Sequence, residues 1–156
     1  MQENQINVTV LQVVLTILGG AIAGGVGLLI AFYQEKRKTN KELKNLLAEM
    51  DQNIELVHEY MMQVHKGDMG TLDTLHTTAY TIANSTGALT SLPKDKFRDI
   101  SYAYNKILIF QNHNERDKRA LAKRSFVEET VKSLEKARKA LKSTLDKSLW
   151  VFRRIS

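Results

Sequence analysis

The chain has 156 residues, with 23 Lys and Arg against 17 Asp and Glu, a net charge of +6 and no cysteine. The missing cysteine excludes disulfides, thiolate zinc sites and cysteine nucleophiles. One proline, few glycines beyond the first thirty residues and plentiful Leu, Lys, Ala and Glu point to an all-α chain.

Residues 6–33 contain no charged side chain and are mostly apolar. A hydrocarbon layer of about 30 Å needs about 20 such residues in a helix. The stretch exceeds the apolar region of a signal peptide and lacks the basic residues that precede one, so an uncleaved anchor is expected. The boundaries are 1–5 for an extracytoplasmic N-terminus, 6–33 for a single transmembrane helix and 34–156 for a cytoplasmic helical bundle. Lys36, Arg37, Lys38 and Lys41, with Lys44 beyond them, crowd the C-terminal flank, whereas no Lys or Arg precedes Lys36. The positive-inside rule then puts the chain in the cell membrane with its C-terminal part in the cytoplasm. Asn7-Val8-Thr9 forms a glycosylation sequon, too close to the bilayer and too short a motif to carry weight.

Small residues recur within the anchor at spacings of three and four: Thr16, Gly20, Ala23, Gly24, Gly27 and Ala31. Gly20 and Gly24 form a GxxxG element, which lets two helices approach closely enough for dispersion contacts that lipid does not match. Five glycines within nine residues favour self-association into a homo-oligomer, against the background that glycine is common in membrane helices.

Thr39-Asn40-Lys41-Glu42 has capping-box spacing, so a new helix starts there or the membrane helix runs straight through. Leu43, Leu47, Met50, Ile54, Val57, Met61 and Val64 then alternate spacings of four and three, the pattern of a coiled coil. The residues beside this seam include Leu46, Asn53 and Tyr60 rather than opposed charges, and a wider stripe suits packing inside a bundle better. Residues 66–70 read as a turn bracketed by two glycines. A short second helix presents Leu72, Leu75, Ala79, Ile82 and Ala83, and Gly87 is placed to end it. Ser91-Leu92-Pro93 reads as the start of a third helix, with Phe97, Ile100, Tyr104, Ile107 and Phe110 as its buried face. Asn112-His113-Asn114 breaks that helix. A fourth begins near Asp117 or at the Ser125-x-x-Glu128 capping box, with Val127, Val131, Leu134, Leu141, Leu145, Leu149 and Phe152 as its stripe. Amphipathic helices with short connections predict an antiparallel bundle of about four helices.

The anchor with its basic flank, the internal Asn53, the run Gly87, Leu89, Leu92, Pro93, and then Tyr104, Ile107 and Asn112 resemble uncharacterised prokaryotic single-pass membrane proteins. The resemblance covers about the first three-quarters of the chain. It implies a membrane-anchored helical bundle and brings no activity with it.

Little in the chain points to chemistry. Glu55 and His58 have the Glu-x-x-His spacing of di-iron bundles, but the second copy and the further glutamates that such a centre needs are missing. His65, His76 and His113 stand alone. Thr74, Thr77, Thr78 and Thr81 lack a recognisable activating base, and no phosphate loop or nucleophile elbow occurs. The expectation is no enzyme, no metal and no cofactor. Thirteen Lys and Arg against five Asp and Glu between Arg116 and Arg154 fit either a solvated helix face or an anion site. Arg116, Lys118, Arg119, Lys123 and Arg124 form the best anion candidate, for a lipid headgroup or an anionic nucleotide. No aromatic interleaving favours a nucleic acid polymer. Trp150, Phe152, Arg153 and Arg154 mix aromatic and basic residues, which suits a membrane interface or packing on the bundle. The leading functional expectation is a membrane-anchored interaction or scaffold module, self-associating through its glycine face and open to a protein partner. The alternative is a ligand-gated oligomeric membrane effector of the prokaryotic antiviral type, whose basic bundle takes an anionic nucleotide signal.

Overall fold

The computed structural model describes the backbone of residues 2–65, 75–111 and 124–153. Within these it is all-α: α1 spans Gln2–His65, α2 Thr78–Ser85, α3 Lys94–Gln111 and α4 Arg124–Arg153, with a 3-10 turn at Leu89–Ser91 between α2 and α3. The chain divides into two compact units, Met1–Lys38 and Thr39–Ser156. No helix boundary falls at Thr39, so the capping-box spacing there goes unused.

In the first unit α1 is apolar and exposed. Leu15, Ile17, Leu18, Ile22, Val26, Leu28, Leu29, Ile30 and Phe32 are each at least half exposed. A helix this apolar has two ways to remove that surface from water, a protein core or a bilayer. Among its described residues the first unit supplies no core, and α1 is long and apolar enough to cross a membrane.

The second unit is a helical bundle whose polar contacts fix its directions. On α1 and the α2 segment, Glu42 pairs with Thr86, Glu49 with Ala79 and Tyr80, and Asn53 with His76, so the two run antiparallel. Across α3 and α4, Lys96 meets Ser143 and Thr144, Asp99 meets Lys136, and Lys106 meets Glu129, again antiparallel. Asp51 and His58 on α1 face Arg138 and Glu135 on α4 in the same opposed sense. The order is therefore up-down-up-down, the arrangement that short connections favour. Ala103 and Ala137 are fully buried on α3 and α4, and side chains this small let the two backbones lie close together.

The buried stripe of α1 is rotated from the expected one. Leu43, Leu46, Met50, Asn53 and Val57 are buried, whereas Leu47, Ile54 and Met61 are only partly covered. The spacing is still three and four, but the helix turns Glu49 and Asn53 inward because both find backbone partners there. Ile82 departs from expectation similarly: it is 48% exposed although Ala83 beside it is buried. α2 is shorter than its apolar pattern suggests, and Leu75 packs in the core from just before it. On α3, Ile100, Tyr104 and Ile107 are buried as expected and Phe97 is partly covered. On α4, Val127, Val131, Leu134, Leu141 and Leu145 are buried. Leu72, the turn at 66–70 and the break at 112–114 lie outside the described residues, as do the side chains of Val64, Phe110, Leu149 and Phe152.

Candidate functional site

Two features of the described residues stand out, and they lie in different units. The first is the glycine face of α1. At 100° per residue, Thr16, Gly20, Ala23, Gly24, Gly27 and Ala31 fall within an arc of about 100° on one side of the helix. A Cβ added at Gly20, Gly24 or Gly27 would meet nothing within 4 Å, so the glycines are not required by packing inside the protomer. Thr16 turns its hydroxyl back onto the carbonyl of Gln12 at 2.8 Å, which satisfies it within the helix.

The second feature is a polar cluster in the bundle that the sequence reading does not identify. Glu49 is 6% exposed. Its carboxylate accepts from the backbone N–H of Ala79 at 2.6 Å and of Tyr80 at 3.1 Å, and from the Tyr104 hydroxyl at 2.8 Å. Ala79 and Tyr80 lie in the first turn of α2, where backbone N–H groups have no partner within the helix. Thr77, at the N-cap, makes no side-chain cap, and Glu49 supplies the cap from another helix instead. One turn further along α1, the Asn53 side chain accepts from His76 N at 2.7 Å and donates to His76 O at 2.8 Å. Tyr80 stacks on Tyr104 with ring centroids 4.3 Å apart and planes 5° from parallel. Burial, together with the charge of Glu49 and the hydrogen bond to it, pushes the Tyr104 hydroxyl well above the ordinary tyrosine range, so it remains a proton donor.

Three donors converge on its two oxygens, so the Glu49 carboxylate ties α1 to the start of α2 and to α3. An open groove of about 320 Å³ between α1 and α2 is lined by Glu42, Glu49, Asn45 and Gln52 among others. The carboxylate of Glu42 at its rim accepts from Thr86.

Compared with known protein families, curated proteins and solved structures, the chain has no match. Arg37, Lys38 and Lys41 are exposed and Lys36 is half-buried. Arg116, Lys118, Arg119 and Lys123 lie outside the described residues, as does the side chain of Arg124. The same holds for the side chains of Trp150, Phe152, Arg153, Arg154, His65 and His113, and for Thr74. Glu55 and His58 are both exposed, and the partner of His58 is Glu135 at 3.8 Å. Among the described residues no three His, Asp or Glu converge as a metal site would require. Thr81 turns its hydroxyl onto the Thr77 carbonyl at 2.8 Å.

The sequence did carry a signal for this polar cluster. Glu49 and Asn53 are four residues apart, on the side of α1 that carries Leu46 and Met50. A polar pair at that spacing on an apolar face has to be satisfied from a neighbouring element.

Proposed function

We propose that the protein is a non-enzymatic interaction module, held in the cell membrane by α1 and self-associating there through its glycine face. The observation that carries this reading is the exposed side of α1 on which Gly20, Gly24 and Gly27 leave open space within a stretch long and apolar enough to span a bilayer. In lipid, helices associate by close backbone approach, and small residues permit it. The basic residues after the span, Lys36, Arg37, Lys38 and Lys41, support a cytoplasmic place for the rest of the chain. The bundle then acts as the scaffold that meets a protein partner, and its buried Glu49, Asn53 and Tyr104 are engaged in holding its own helices. No cofactor and no nucleic acid polymer enter this reading.

The test is native mass spectrometry of the full-length protein released from detergent, beside Gly20→Leu and Gly24→Leu. A defined homo-oligomer that either substitution shifts to monomer is the expected result. Leucine favours helix and meets open space in the protomer, so such a loss reports on the interface rather than on folding. A monomer in the parent protein overturns self-association. A stoichiometric anionic nucleotide on the oligomer would replace the scaffold by a ligand-gated effector.

A further inference from the structure

We propose that the C-terminal end of the span carries a headgroup site for anionic phospholipid, formed by Arg37 and Lys38 of the first unit. The inference rests on α1 crossing the membrane and adds the partner of its basic flank. Depth is the first argument. The uncharged stretch of residues 6–33 exceeds the about 20 residues that a hydrocarbon layer of about 30 Å needs, so a span ending at Tyr33 fills the layer. Arg37 and Lys38 follow Tyr33 by four and five residues, about 6 to 8 Å further along the axis, which is the depth of the phosphates.

Availability is the second argument. Both side chains are exposed, and among the described residues no ion pair or hydrogen bond engages either of them. The nearest acid in sequence is Glu35, also exposed, so residues 35–38 keep a net charge of +2. Three cations of the second unit, by contrast, are committed, Lys106 to Glu129, Lys136 to Asp99 and Arg138 to Asp51. Chemistry is the third. The planar guanidinium of Arg37 matches two phosphate oxygens at once, and the ammonium of Lys38 adds a mobile charge beside it. A zwitterionic headgroup cancels its phosphate with its own cation, whereas an anionic one leaves it for the protein.

The experiment places the full-length protein in nanodiscs of phosphatidylcholine and phosphatidylglycerol and counts the lipids that stay bound on release into the mass spectrometer. Arg37→Gln with Lys38→Gln is compared with Lys132→Gln with Lys139→Gln, which removes equal charge from exposed positions on α4. The expected result is retained phosphatidylglycerol on the parent protein and on the α4 double variant, and roughly tenfold less on the Arg37/Lys38 variant. Equal loss in both variants would trace the preference to overall charge and overturn the site, as would an absence of preference in the parent. Extraction of vesicles at alkaline pH separates the two readings. A chain that resists extraction but shows no lipid preference refutes the headgroup site alone, and a chain that is stripped from the vesicles refutes the span and the site together.

Discussion

A carboxylate taken out of water loses strong hydration, and it is retained in an interior only where donors replace what water gave. Glu49 meets that condition with two backbone N–H groups of α2 and one tyrosine hydroxyl. Glu49→Ala strands all three donors and is expected to cost about 2 to 4 kcal/mol, read as a fall in the thermal midpoint of the full chain in detergent. An unchanged midpoint would show that water serves those donors equally well. Tyr104 gives a separate pH prediction. Its folded-state pKa lies above the unfolded value of about 10, so its contribution is complete below pH 10 and is lost as the pH rises through the folded value. Above pH 10 unfolding releases one extra proton, which adds about 1.4 kcal/mol of lost stability per pH unit. Tyr104→Phe should remove that slope while also losing the hydrogen bond to Glu49. Alkaline unfolding curves that stay parallel would contradict the burial of a protonated hydroxyl.

At the scale of elements, α2 is the instructive case. It has eight residues, too few to persist alone in water, and it is kept by capping from α1 and by the burial of Leu75, Ala83, Ala88, Leu89 and Leu92 around it. Gly87 ends it with φ +79°, a backbone that side chains disfavour. A Cβ there would stand 3.6 Å from Thr90 Oγ1, an ordinary contact, so the cost of Gly87→Ala is conformational. We expect about 1 to 2 kcal/mol, measured by the same unfolding. The two glycine sets therefore separate cleanly. Substitution at Gly87 is expected to lower the stability of the fold, whereas substitution at Gly20 or Gly24 tests the proposed assembly.

For the whole molecule, the α3–α4 pair ties bundle stability to pH on the acid side. Lys106 loses hydration by burial, yet its hydrogen bonds and charge attraction to Glu129, with help from Tyr102, hold its pKa above the ordinary lysine value. Glu129 is drawn below the ordinary carboxylate range, first by the hydrogen bond from Lys106 and then by that from Tyr102. A depressed carboxylate contributes its stability above the unfolded pKa of about 4.5 and loses it as the pH falls through the folded value. Glu129→Gln should therefore flatten the decline in thermal midpoint below pH 4.5. Because Glu129 is exposed, the effect should shrink as salt is added. A decline of the same steepness in the variant would place the acid sensitivity elsewhere.

The sequence determined the helical class and the apolar stretch of α1, because both follow from local composition and from periodicity along one chain. The end of α2 at Gly87 was legible for the same reason, as were Ile100, Tyr104 and Ile107 on α3 and the stripe from Val127 to Leu145 on α4. It did not determine how far α1 is rotated about its axis, because Leu43, Met50 and Val57 belong to either stripe. The seven apolar residues from Leu43 to Val64 describe one seam, and Leu43, Leu46, Met50, Asn53 and Val57 describe another a fraction of a turn away. Only tertiary structure decided between them, because the choice depends on where Glu49 and Asn53 find donors and acceptors on a segment more than twenty residues distant. Hydrophobic periodicity records how much surface must leave water but not which polar atoms can go with it. That depends on partners that the chain brings together only when it folds.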